Sequence, residues 1–237
     1  MVLNKTIHFD ILNNFLGSGD PSGGLWFIGL EEAGEWNKDV EKDKKSYERY
    51  KKNNYSPVPA GQIFNDAIRY KKSYTKVFDI MSKIIVGLKD ADEEFRNWKN
   101  YRNNELLQHG SKVFQSNLFP IGKRKFNQWP EHYGNLFGFQ KWDYKYEETV
   151  KKTRFPNIYQ LWKNSTPQAT ICFGSSGWHY SEELFGLKTA NFKEAGDCFR
   201  IYEKHKIIFT KFFNPQQTGD KRIRYIIEVL QEWCVTI

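Results

Sequence analysis

The chain has 237 residues, of which 39% are hydrophobic and 17% aromatic, and its 36 Lys and Arg against 28 Asp and Glu leave a net charge of +8. That length suits one large domain carrying insertions and can bury a core without covalent staples. A mean hydropathy of −0.71, with no run near the ~20 apolar residues of a membrane span, argues against a membrane role, and three scattered cysteines (Cys172, Cys198, Cys234) exclude a disulfide scaffold, a four-cysteine zinc site and a four-cysteine iron–sulfur cluster.

In chain order, Ile7, Ile11, Leu12 and Phe15 fall near one face of a helix over residues 4–16. GSGDPSGG (17–24) breaks the chain, and LWFIGL (25–30) reads as a strand buried on both faces. Residues 37–60, charged and then proline-containing, read as an exposed insertion or loop. Val77, Ile80, Met81, Ile84 and Ile85 mark a helix over 74–88. Residues 92–108 read as a charged helix, and 112–121 as a second strand stopped by Pro120. The aromatic segment 123–148 reads as irregular, and 157–164 as a short helix. ATICFG (169–174) is a third strand, with GSSGW able to open a helix, and KIIFTKFF (206–213) is a fourth. Ile223, Ile226, Ile227 and Leu230 give a last helix over 220–233.

Four short strands separated by helices predict an α/β fold with a mainly parallel four-stranded sheet. Residues 1–237 form a single domain in this reading, with insertions near 37–60 and 123–148. Ligands of such sheets sit beyond the carboxyl ends of the strands. Those ends are Gly29-Leu30-Glu31-Glu32, Ser116-Asn117-Leu118, Gly174-Ser175-Ser176 and Asn214-Pro215-Gln216, and the topology converges them on one cleft. Glu31 or Glu32 can orient a water or stabilise a developing cation, or simply stand as surface acids. The Asn117 amide can read a base edge, or close a turn. Lys221, Arg222 and Arg224 can hold phosphates, or start a solvated helix.

The charge excess favours a polyanion as partner, and plentiful aromatics suit stacking on bases. A large aromatic core under a solvated basic surface accounts for the same composition. Five histidines show no metal-ligand spacing, and there is neither a GxxxxGK[ST] nor a GxSxG motif. MVLNKTIHFDILNNF has no secretory pattern, so the expected compartment is the cytoplasm.

The ordered set of strand ends resembles the uracil-DNA glycosylase superfamily. Its counterparts are Gly29-Leu30-Glu31-Glu32-Ala33-Gly34-Glu35, Ser116-Asn117-Leu118, Ile171-Cys172-Phe173-Gly174 and Asn214-Pro215-Gln216. Glu31 stands where the family has Asp, Asn or Ala, Glu32 replaces a proline, and the last motif has Asn and Gln where His and Ser are commonest. The cysteine count excludes the iron–sulfur branches. The resemblance implies a three-layer α/β/α sandwich and a monofunctional DNA glycosylase that flips out a base and leaves an abasic site. It assigns catalysis to Glu31 and Asn214, base binding to Gly29 and Asn117, and DNA binding to Gln216, Gln217, Lys221, Arg222 and Arg224. Phe64 would stack on the base, or fill the core. DNA is the implied partner, with no metal, no cofactor, no membrane and no obligatory protein partner. The non-standard motifs and the two insertions point to uracil or a modified, bulky pyrimidine, for example in viral DNA as a defence activity. A non-catalytic nucleic-acid binder on the same scaffold is the competing reading, and a metal-dependent nuclease using Glu31 and Glu32 ranks behind it.

Overall fold

The computed structural model describes residues 5–52, 54–63, 75–90, 94–125, 128–141, 144–213 and 218–237. The strands are β1 (Gly17–Gly19), β2 (Leu25–Ala33), β3 (Tyr55–Ser56), β4 (Val113–Lys123), β5 (Ala169–Phe173), β6 (Lys193–Ala195), β7 (Phe199–Tyr202) and β8 (Ile207–Thr210). The longer helices are α1 (Lys5–Asn14), α2 (Lys44–Lys51), α3 (Thr75–Asp90), α4 (Trp98–Asn104), α5 (Tyr133–Phe137), α6 (Tyr144–Ser165), α7 (Trp178–Leu184) and α8 (Asp220–Glu232).

The sheet has eight strands, in the order β3-β1-β4-β2-β5-β8-β7-β6, and not the expected four. The four strands read from the sequence form its contiguous parallel centre, β4-β2-β5-β8. On one edge β1 joins β4 antiparallel, with β3 parallel beyond it. On the other, β7 and β6 extend β8 antiparallel. The four additional strands are two to four residues long, too short to display a period of two. One of them is Gly-Ser-Gly, a composition that signals a break.

Side chains alternate across the sheet. Trp26 and Ile28 of β2 enter a core shared with α1, α2, α5, α6 and α7. Leu25 and Phe27 enter a second core, shared with α3, α4 and α8. Helices therefore cover both faces, and all four of these β2 residues are buried, as a continuous apolar run requires.

Of the charged helix expected over 92–108, only Trp98–Asn104 is helical among the described residues, and four further segments differ from the sequence expectation. Residues 37–60 are not an exposed loop: they hold a 3₁₀ turn, α2 and β3, and Val40, Tyr47 and Tyr50 are buried. Two tyrosines three positions apart anchor a helix that is otherwise charged. Pro120 does not stop β4, which runs on to Lys123. Pairing with β2 shifts there: Glu31 opposes Phe119, but Ala33 opposes Lys123. The proline thus sits in a bulge, where its missing N–H costs no ladder bond. The short helix at 157–164 is the end of the 22-residue α6, which passes through Pro156. The apolar stripe Tyr146, Val150, Phe155, Ile158 is buried, and this packing outweighs the ~3 kcal/mol of a helical proline. The segment 123–148 contains α5 and the start of α6, and buries Tyr133, Phe137 and Tyr146. Among the described residues no helix is long and apolar enough to cross a membrane.

Candidate active site at the ends of β2 and β4

Gly29 and Asn117 are register partners on β2 and β4. With a period of two, Gln115 shares the face of Asn117, and Phe173 reaches the same face from β5. A pocket opens there, lined among others by Glu31, Glu32, Glu35, Gln115, Asn117, Phe173 and Phe212, with Val77 and Phe78 of α3 as an apolar wall. Gly29 is required by space. A Cβ at this position would lie 2.5 Å from Asn117 Oδ1 and 2.8 Å from Phe173 Cζ, closer than real carbon contacts allow. Gly174 closes β5 with a φ of 101°, a conformation that side chains rarely adopt. It and Ser175-Ser176 border an adjoining depression, which also contacts Glu31, Glu32, Arg124 and Lys125.

Glu31 is the most enclosed acid of the pocket. Its Oε2 lies 2.9 Å from Lys123 Nζ, with side-chain exposures of 9% and 0%. Burial pushes the Glu31 carboxyl up from 4.5 to about 7, and Lys123 holds it back from rising further. Burial likewise pulls the Lys123 ammonium down, against the pull of Glu31. Because the folded state holds the Glu31 proton more tightly than the unfolded chain, this group favours folding at pH below 4.5 and loses that contribution as pH rises to about 7.

Glu32 turns toward α2, where Tyr50 Oη donates to its carboxylate and Arg49 lies 3.4 Å away. Glu35 pairs with Arg124 at 3.0 Å. Tyr133 Oη accepts from Trp36 N at 2.9 Å and donates to Gly122 O at 2.6 Å, and His132 Nε2 bonds Trp36 O at 2.7 Å. The aromatic segment thereby ties the end of β2 to the bulge in β4. Glu31 and Glu32 each have a cationic partner, and no group of three or more His, Cys, Asp or Glu among the described residues is arranged to hold a metal.

Asn117 is fixed at both its side chain and its backbone. Gln115 Nε2 donates to Asn117 Oδ1 at 3.1 Å. Arg154 reaches through the core from α6 and donates to Asn117 O from Nε and Nη2, at 3.0 and 2.9 Å. Its Nη1 bonds the carbonyls of Asn13 and Phe15, both at 2.7 Å, so it also caps the end of α1. Burial draws the guanidinium down to about 10, which leaves it charged at neutral pH.

Of the residues named from sequence, Glu31 and Asn117 come together at one pocket, and Gly29 pairs with Asn117 in the sheet and packs against the Asn117 and Phe173 side chains. Phe64, Asn214, Gln216 and Gln217 lie outside the described residues. Lys221, Arg222 and Arg224 occupy the start of α8 and border a separate depression with Cys198, Phe199 and Tyr225. Sequence reasoning missed Lys123, Gln115, Arg154 and the ring of Phe173. Gln115 and Phe173 could have been found by stepping two residues along each strand from the tips. Lys123 sits beyond a bulge, and Arg154 on a helix far along the chain, so no local pattern marked either. No family model and no curated protein matches the sequence.

Proposed function

We propose that the protein is a divergent member of the uracil-DNA glycosylase superfamily that excises an extruded base and leaves an abasic site. The observation that carries this reading is the meeting of Glu31 and Asn117, 86 positions apart, in one pocket with an aromatic wall. A base flipped into it meets the rings of Phe173 and Phe212 and the Asn117 amide. Glu31 then orients the attacking water and stabilises the positive charge that builds on the sugar as the base leaves. The bare backbone at Gly29 lets the Asn117 amide and the Phe173 ring pack where any Cβ would collide with them. Asn214 assists departure of the base, while Gln216, Gln217, Lys221, Arg222 and Arg224 grip the DNA backbone. The substrate is uracil or a modified, bulky pyrimidine, and a defence activity against viral DNA follows if the modified base is the one removed.

The test is incubation of the purified protein with duplexes carrying uracil or modified cytosines, followed by alkali. Strand breaks that need alkali and fall at one base type support a glycosylase. Breaks without alkali that chelators abolish support a nuclease. Binding that collapses with salt and yields no abasic product supports a non-catalytic binder.

A further inference from the structure

We propose that Lys123 is a positioning residue for Glu31, an internal counter-ion that favours the ionised carboxylate and holds it in one orientation at the pocket wall. The proposal rests on the reading of Glu31 as the working carboxylate of the site.

The geometry begins in the bulge of β4. Had the register continued beyond the pair Glu31–Phe119, Ala33 would oppose Ile121. Instead it opposes Lys123, because two extra residues are accommodated around Pro120. That shift brings the ammonium to 2.9 Å from Glu31 Oε2. The bulge is held against β2 from both sides. A Cβ on Gly122 would stand 2.9 Å from Gly34 O and 3.0 Å from Glu32 O, and Tyr133 Oη bonds the Gly122 carbonyl at 2.6 Å. The Trp129 ring lies under the ammonium, its centroid 5.9 Å from Nζ.

A wholly buried lysine needs a reason. Apolar residues of the same volume stabilise a core at least as well as a buried ion pair, so the pair is poorly explained by stability. Its surroundings indicate what it does. Facing Glu31 are Tyr133 of α5 and Tyr146 of α6, and Glu32 and Glu35 continue its own strand and loop. The tyrosines are held neutral by burial, Arg49 is engaged with Glu32, and Arg124 with Glu35. Among the described residues, Lys123 is the cation paired with Glu31. Burial drives Glu31 toward its neutral acid and the Lys123 charge opposes that drift, for a net midpoint of about 7. A neutral Glu31 neither accepts a proton from water nor stabilises a cationic sugar.

The test follows the Glu31 carboxyl carbon by NMR in the full chain labelled at glutamate, with the resonance identified by its loss in Glu31→Gln. In the unsubstituted protein the midpoint lies at about 7. In Lys123→Met it rises by about one pH unit or more, and in Lys123→Arg it stays near the original value. An unchanged midpoint in a folded Lys123→Met overturns the proposal. Should Lys123→Met not fold, the reciprocal variant decides: Glu31→Gln lowers the Lys123 midpoint by about one unit, and no change overturns the pairing. On a cleaved duplex, the acid limb of kcat follows the Glu31 midpoint, so Lys123→Met slows turnover about tenfold on that limb with KM little changed. A protein that releases no base from any duplex, yet shows the NMR shift, overturns the glycosylase reading and leaves the positioning role standing.

Discussion

The ends of β2 and β4 and the start of α8 both carry dense charge, and they are built in opposite ways. At the strand ends the polar groups are enclosed and held: Glu31 by Lys123, Glu32 by Arg49 and Tyr50, Asn117 by Gln115 and Arg154. At the start of α8, Lys221 and Arg224 are exposed and line only a shallow depression. Fixed, desolvated groups can act on a particular atom of a ligand, because their interactions are strong and their geometry is set beforehand. Exposed cations contribute attraction that salt screens and that does not depend on which base is bound. The proposed chemistry therefore falls to the first region, and the proposed affinity for a polyanion to the second.

The widest separation between the two regions is expected from Arg154→Met. It orphans the carbonyls of Asn13, Phe15 and Asn117 in the core, at about 1–3 kcal/mol each, enough to unfold a domain of ordinary stability in a urea titration. Next comes Lys123→Met, which leaves the buried Glu31 without its counter-ion and costs up to about 3–5 kcal/mol, whereas the double change Glu31→Leu with Lys123→Met is neutral or stabilising. That contrast, read from urea midpoints, separates a pair kept for its chemistry from one kept for stability. Gly29→Ala follows, costing about 1–3 kcal/mol from overpacking against Asn117 and Phe173 and slowing base release by displacing the Asn117 amide. The smallest effects belong to α8: Lys221→Ala and Arg224→Ala leave stability within about 0.5 kcal/mol. Each lowers the slope of log affinity against log salt by about one, whatever the DNA sequence.

The parallel centre of the sheet was legible because long apolar runs such as Leu25–Ile28 and Ile207–Phe209 bury both faces. The carboxyl ends of those strands then led to Gly29, Glu31 and Asn117 without any knowledge of contacts. The four edge strands were not legible, since their pairing comes from neighbours and not from their own two to four residues. Lys123 was hidden by the assumption that a proline ends a strand, whereas a bulge absorbs it. The charged stretch at 37–60 concealed Tyr47 and Tyr50, whose spacing carries the burial and whose hydroxyl at Tyr50 holds Glu32.

The central claim is tested most directly by counting alkali-labile sites formed on a panel of base-substituted duplexes by the unsubstituted protein and by Glu31→Gln under single-turnover conditions. The account predicts abasic sites at one class of base, formed at least about 100-fold more slowly by Glu31→Gln while DNA binding persists. Equal rates in the two proteins, or no alkali-labile site on any duplex, would contradict it.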